Sequence, residues 1–448
     1  MKKVKGLFAI TAFVMCLTAC SGNKEGEGSG KLDAQSGDKK TVVIAVQDSN
    51  KFLESAAEKF EQKHPKINIE IKPYMAMPEV DGNGMSGSMS LADIEKYVQT
   101  VTTQIMAGKG SDLILMQELP QSKFVEKKVL VNLYDLMDKD SSFNKNDYYQ
   151  NIIKASQDGD GLYAMPFSVN LEVIQGRIDL LEKTKIDIDD ETWTWEQVKD
   201  IAKELKVQAG PDYFAFNNLL PFNLLLSYIE DNYSELVQQR NANFDSDTFR
   251  KMMIQIKSMY DENALQAEFT YDYDKALFSK ATFTGPEDSL RLMVMPEYKV
   301  FKGPTAKGES KGLPFRSSFN LGMNSKSKLQ KEAWEFMKFL LSEEMQASPD
   351  LGGFPVNKKV TEKRIDEAAV KLEKGELENV KVIPDSETIQ VKIHELKQML
   401  ENAGVKLNMD FKVLNIAAVE FDAYMNGQKS AEEVSKLIQN RVMTYLNE

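Results

Sequence analysis

The chain has 448 residues and is acidic, with 68 aspartates and glutamates against 56 lysines and arginines and a formal net charge of −12. That balance argues against a nucleic-acid partner, which is held by clustered Lys and Arg, and the length exceeds one typical domain. The two cysteines, Cys16 and Cys20, both lie near the start. The remainder therefore has no thiol for a disulfide, a thiolate metal site or a cysteine nucleophile.

The first 20 residues read as a leader. Lys2, Lys3 and Lys5 give a basic start, Gly6 to Leu17 is almost unbroken apolar sequence, and small residues precede Cys20. The apolar run is too short for a membrane span, which needs about 20 apolar residues, and fits a secretory signal peptide over residues 1–19. Leu17-Thr18-Ala19-Cys20 resembles a bacterial lipobox, which implies removal of the leader and lipidation, with palmitate as one acyl group, of Cys20. Loss of the three leader lysines takes the net charge from −12 to −15. Residues 20–40 then form the lipidated cysteine and a tether. SGNKEGEGSGKLDAQSGDKK is Gly, Ser and charge with nothing to bury, a flexible chain reaching roughly 25 Å.

The body begins with alternating strand and helix. Thr41–Val46 is β-branched; Phe52, Leu53, Ala56, Ala57 and Phe60 make one helical face; Ile67–Ile71 alternates as a second strand. Ser90 and Asp93 form a capping box before the stripe Ile94, Val98, Val101 and Ile105, stopped by Gly108, and Asp112–Met116 is an apolar strand. This order predicts right-handed βαβ units on a largely parallel sheet, with a ligand beyond the strand ends at loops 47–50 and 117–120. Residues 81–90, rich in Gly and Ser, read as an inserted loop. The Met-rich segment (Met75, Met77, Met85, Met89) reads as adaptable packing rather than a metal site. Farther on, Thr194 and Gln197 cap a helix bearing Trp195, Val198, Ile201, Ala202 and Leu205. Residues 249–260 have helical period, Ala333 to Leu341 form an apolar helical face, and Ser430 and Glu433 open a last helix.

Catalytic signatures are missing from the sequence. It has no G-x-S-x-G, H-E-x-x-H or Walker A, and its two histidines, His64 and His394, stand apart. Asp138-Lys139-Asp140 starts like an EF-hand loop, but Phe143 and Tyr149 occupy the glycine and glutamate positions. No cofactor, metal or catalytic residue is expected.

Six stretches carry a resemblance: GKGSDLILM (108–116), DGLYAMPFSVN (160–170), TWTWEQVKDIAKEL (192–205), KALFSKATFTGPED (275–288), LGMNSKSKLQKEAWEFMKFLLSEEMQ (321–346) and YMNGQKSAEEVSKLIQNRVMTYL (424–446). With the lipobox, they make the chain similar to the family 1 extracellular solute-binding proteins, lipoprotein receptors of ABC importers and distant relatives of maltose-binding protein. The resemblance implies an α/β fold of two discontinuous lobes joined by hinge crossings near Phe167, Gly285 and Ser318. The N-terminal lobe would be 41–167 plus 285–318 and the C-terminal lobe 168–284 plus 319–448. It also implies a monomeric receptor, held on the outer face of the cell membrane through the Cys20 lipid. Such a receptor would close on a mono- or oligosaccharide and pass it to an ABC permease. A sugar acid or peptide is the alternative solute, and an anchored glycosidase or a non-transporting adhesin the alternative class.

The resemblance further places ligand contacts at Asp48, Asn50, Met116, Gln117, Glu118, Asn170, Phe222 and Glu287. The maltose-binding relative carries tryptophan where this chain has Met116 and Glu287, which turns the expectation from long glucans toward a polar-chelated, smaller or charged solute. Five of these positions have a competing role: helix capping for Asp48 and Asn50, solvated surface for Glu118 and Glu287, core for Phe222. Trp195 and Trp334 sit on apolar stripes and are expected in the core.

Overall fold

The computed structural model describes residues 39–48, 50–75, 91–238, 240–309, 311–407 and 410–448. The leader, Cys20, nearly all of the tether, Ser90, Met77, Met85, Met89 and the 81–90 loop lie outside the described residues.

Twelve strands are present among the described residues: β1 Lys40–Val46, β2 Ile67–Pro73, β3 Leu113–Leu115, β4 Ala164–Arg177, β5 Phe214–Phe216, β6 Val237–Gln238, β7 Asn241–Ala242, β8 Ala276–Phe283, β9 Tyr298–Phe301, β10 Leu313–Met323, β11 Phe354–Pro355 and β12 Ala403–Lys406. The main sheet runs β2-β1-β3-β10-β4-β8-β5, with β9 and β11 on β4 and β12 on β10. Its first part is built as expected. β1 is parallel to β2 and β3, and the intervening helix Lys51–Lys63 buries Phe52, Leu53, Ala56, Ala57 and Phe60 against them. The rest departs from the expected parallel sheet. β10 is antiparallel to β3 and β4, and β4 to β8 and β9. These strands carry the chain between two halves of the molecule, β4 in one direction and β8 and β10 in the other.

Two large cores flank the passages. The first gathers residues from Val42 to Val173, Phe283 to Val294 and Leu313 to Ala403. The second gathers Ile174 to Phe278, Phe301 and Val413 to Leu446. A smaller cluster (Tyr97, Val101, Ile105, Met116, Phe124) covers the other face of β1 and β3. The memberships differ from the division expected from sequence. β4 changes core between Val173 and Ile174, not near Phe167. Residues 319–403 pack into the first core, because the apolar face of helix Lys358–Glu373 (Ile365, Ala368, Ala369, Leu372) lies with Leu290 and Met293 of helix Pro286–Met293.

Helix ends follow the sequence signals. Thr194 with Gln197 and Ser430 with Glu433 form complete capping boxes, and Gly108, at φ 68°, follows helix Leu91–Met106. Trp195 packs in the second core. Trp334 packs in the first, where its Nε1 donates to Asp140 Oδ2 at 2.9 Å.

Candidate functional site

Beyond the end of β3, where the chain passes beside the crossing strands, lies a cavity of about 330 Å³. Its walls come from Met116 to Leu119, Gln121 and Ser122 after β3, Asn170 on β4, Arg316 to Ser318 and Asn320 on β10, Lys406 and Leu407 at the end of β12, and Tyr233 and Asp410. The two large cores thus face one another across it, since β3 and β10 belong to the first and helix Phe411–Met425, which Asp410 caps, to the second.

β10 supplies three consecutive polar residues to one wall because its register against β4 shifts at Ser317–Phe319. A bulge of this kind breaks the in–out alternation of a strand. Phe315 and Phe319 remain in the core, while Arg316, Ser317 and Ser318 line the cavity. Asn170 lies opposite Arg316 in the ladder and accepts a hydrogen bond at Oδ1 from Ser318 Oγ at 2.8 Å. Gln117 Nε2 donates to the Ser318 carbonyl at 2.7 Å. The wall is backed by Gly353, at φ 81°, where an added Cβ would stand 2.6 Å from Ser318 Oγ and 2.9 Å from Asn170 Oδ1. Only glycine allows that approach. Ser317 Oγ and Asn320 Oδ1, on the same strand, are buried without a hydrogen-bond partner.

Charge is arranged in layers. Arg316 donates to both carboxylate oxygens of buried Glu230 at 2.9 and 2.8 Å, and its Nε lies 3.2 Å from Glu172. Burial alone would depress this guanidinium, and Glu230 and Glu172 outweigh it. Lys280 donates to Ser227 Oγ at 2.6 Å; burial lowers its ammonium, against the pull of Glu230, Asp231 and Glu172. Burial raises the Glu118 carboxyl, with Arg316 opposing. Asp410 is also raised by burial, while it accepts from the backbone N–H groups of Lys412 and Val413. A second cavity of about 550 Å³ shares Arg316 with the first and is lined by Asn217, Asn218, Asn223, Ser227, Glu230 and Lys280 among others.

Of the residues expected at the site, Met116, Gln117, Glu118 and Asn170 meet in the first cavity. The other four do not. Asn50 caps helix Lys51–Lys63 by accepting from Leu53 N at 2.9 Å. Asp48 is half-buried after β1, close enough to Tyr97 to help Glu118 and Tyr74 reinforce the rise that burial causes in its hydroxyl. Phe222, 46 % exposed, starts helix Pro221–Asp231, and it is the next residue, Asn223, that reaches the second cavity. Glu287 is exposed and paired with Lys371 at 2.6 Å, because Gly285-Pro286 starts a helix that packs against helix Lys358–Glu373. Sequence reasoning missed Arg316, Ser317, Asn320, Glu230, Lys280, Lys406 and Asp410. An arginine inside the apolar run LPFRSSFNLGM was the available signal for the first. Among the described residues, no group of three or more His, Cys, Asp or Glu could hold a metal ion, and no helix is long and apolar enough to cross a membrane.

Residues 45–347 match the family model described as bacterial extracellular solute-binding protein. Among solved structures, the fold resembles a Listeria monocytogenes ABC substrate-binding protein in complex with cycloalternan (TM-score 0.56, 16 % identity, 92 % of this chain and 100 % of that one). It also resembles maltose-bound MalE3 of T. maritima (0.54, 18 %, 90 % and 99 %) and a putative oligosaccharide periplasmic-binding protein from Synechococcus sp. MITs9220 (0.58, 16 %, 91 % and 99 %). The fold is the two-lobed one of periplasmic binding proteins.

Proposed function

Because the chain belongs to the bacterial extracellular solute-binding protein family, we propose that it is a lipid-anchored receptor that captures a saccharide between its lobes and hands it to an ABC permease, without chemical conversion and without a cofactor. One lobe comprises 41–173, 283–294 and 313–403, the other 174–278 and 413–446, and the protein works as a monomer. The observation that carries this reading is the cavity between the two cores, walled by amide, hydroxyl and carboxylate groups. Such groups suit chelation of sugar hydroxyls. The sugars named for the structural relatives point the same way. A ligand touching both walls favours the closed arrangement.

The test is calorimetric titration of the tether-deleted protein with a saccharide panel. Asn170 uses Oδ1 on Ser318 and has its amide nitrogen left for ligand. Asn170→Ala should therefore weaken the best ligand by roughly 1–3 kcal/mol, the usual cost of orphaning a buried partner; an unchanged affinity removes Asn170 from the site, and turnover of the sugar overturns the receptor reading. For the anchor, Cys20→Ala should move the full chain from the detergent phase to the aqueous phase in phase partitioning, since one missing diacyl group removes most of the membrane affinity. Equal partitioning of both forms would dismiss the lipid.

A further inference from the structure

The two adjoining cavities hold cations in different conditions, Arg316 and Lys406 lining the first and Lys280 the second. Arg316 is committed, with its terminal nitrogens on Glu230 and its Nε by Glu172, and an anion would have to displace buried ion pairs to use it. Lys280 lies in the field of three carboxylates, Glu230, Asp231 and Glu172. Lys406 is different. It ends β12 beside Phe315 of β10, and its Nζ has a single polar partner among the described residues, Gln121 Oε1 at 3.5 Å. The one carboxylate that acts on it at longer range, Asp158, accepts from Ser122 Oγ. Lys406 is half-buried; an ammonium offers three donors, and withdrawing one from water without a counter-ion is costly unless it loses its charge or gains a partner. Burial pushes the Lys406 ammonium down to about 8, in keeping with a group that lacks an anion.

The same cavity presents Gln117, Asn170 and Ser318, whose amides and hydroxyl address hydroxyls. We propose, building on the saccharide reading above, that the ligand is an acidic sugar of the uronate type, with Lys406 receiving its carboxylate while the β3 and β10 wall holds its ring hydroxyls. A single negative charge fits better than a phosphate ester, which carries close to two. Glu118 and Asp410 share the cavity and one lysine is all that would balance the ligand.

The experiment compares matched pairs that differ at C6 alone, galacturonate with galactose and glucuronate with glucose, as mono- and disaccharides, by calorimetry near pH 7. One acid should bind about tenfold or more tighter than its neutral partner, the size of one charge-assisted hydrogen bond. Lys406→Met should collapse that ratio and Lys406→Arg should keep it, with melting curves checking that each variant is folded. Neutral sugars binding as tightly as their acids, or a ratio that survives Lys406→Met, overturns the inference and leaves saccharide capture standing. Absence of binding by both series overturns the two together.

Discussion

Glu230 is only 8 % exposed, and Asp231 follows it at the end of helix Pro221–Asp231, so two carboxylates enter the region between the cores side by side. The first is satisfied by Arg316. The second is not: burial, and then the neighbouring Glu230, push Asp231 up to about 7, with Lys280 and Arg316 opposing. An unfolded aspartate titrates near 3.9, so between roughly pH 4 and 7 the folded chain holds a proton that the unfolded chain has released. The stabilisation from that proton is complete below pH 4 and is lost as pH rises through 7. Asp231→Asn stays neutral throughout. Relative to this variant, the wild-type protein should lose about 1–3 kcal/mol of unfolding free energy between pH 5 and 8, read from urea denaturation at each pH. Parallel curves for the two proteins would show that Asp231 ionises freely in the fold.

At the level of elements, what was legible in sequence was what local chemistry determines. The helices at 51–63, 195–209 and 431–447 were readable because a side-chain cap begins each one and a 3.6-residue apolar stripe fixes its buried face. β2 was readable from its alternation, β1 from its β-branched run and β3 from its continuous apolar run. The direction of β4 and β10 was not. Nothing within AMPFSVNLEVIQGR says that its first half pairs with β10 and its second with β8 and β9, since pairing partners 150 residues away leave no local trace. The site was half legible for a related reason. Met116 to Glu118 follow directly from a strand end in a parallel unit, where ligands gather, and Asn170 sits in the matched DGLYAMPFSVN stretch. Arg316 and Lys406 reach the same cavity only through the register of β10 with β4 and with β12. Glu287 was misplaced because the turn that precedes it starts a helix aimed at Lys371 rather than at the cavity.

For the whole molecule, the decisive contacts are those that join the two halves beside the cavity without passing through the strands. Glu95, on helix Leu91–Met106, pairs with Lys412 on helix Phe411–Met425, and Glu126, at the end of helix Gln121–Glu126, pairs with Arg240. Lys123 donates to the Tyr445 carbonyl at 3.1 Å and lies 4.8 Å from that ring's centroid. Each exposed pair contributes only about 0.2–1 kcal/mol and is screened by salt. Two together nevertheless suffice to tilt an equilibrium between open and closed arrangements that differ by a few kcal/mol. Apparent affinity falls with the fraction of closing-competent molecules, so the double variant Arg240→Met, Lys412→Met should bind its saccharide about three- to tenfold more weakly. It should also show longer distances between spin labels placed on the two lobes of the ligand-free protein. Cys16 and Cys20 are the only cysteines, so a body lacking the first 20 residues offers a clean background for such labels. Raising salt from about 0.05 to about 1 M, where the screening length falls to roughly 3 Å, should reproduce the shift in wild type and leave the double variant unmoved. If the distance distribution of the wild-type protein is the same at both salt concentrations, the ion pairs do not set the closure equilibrium and the strands β4, β8 and β10 alone govern it.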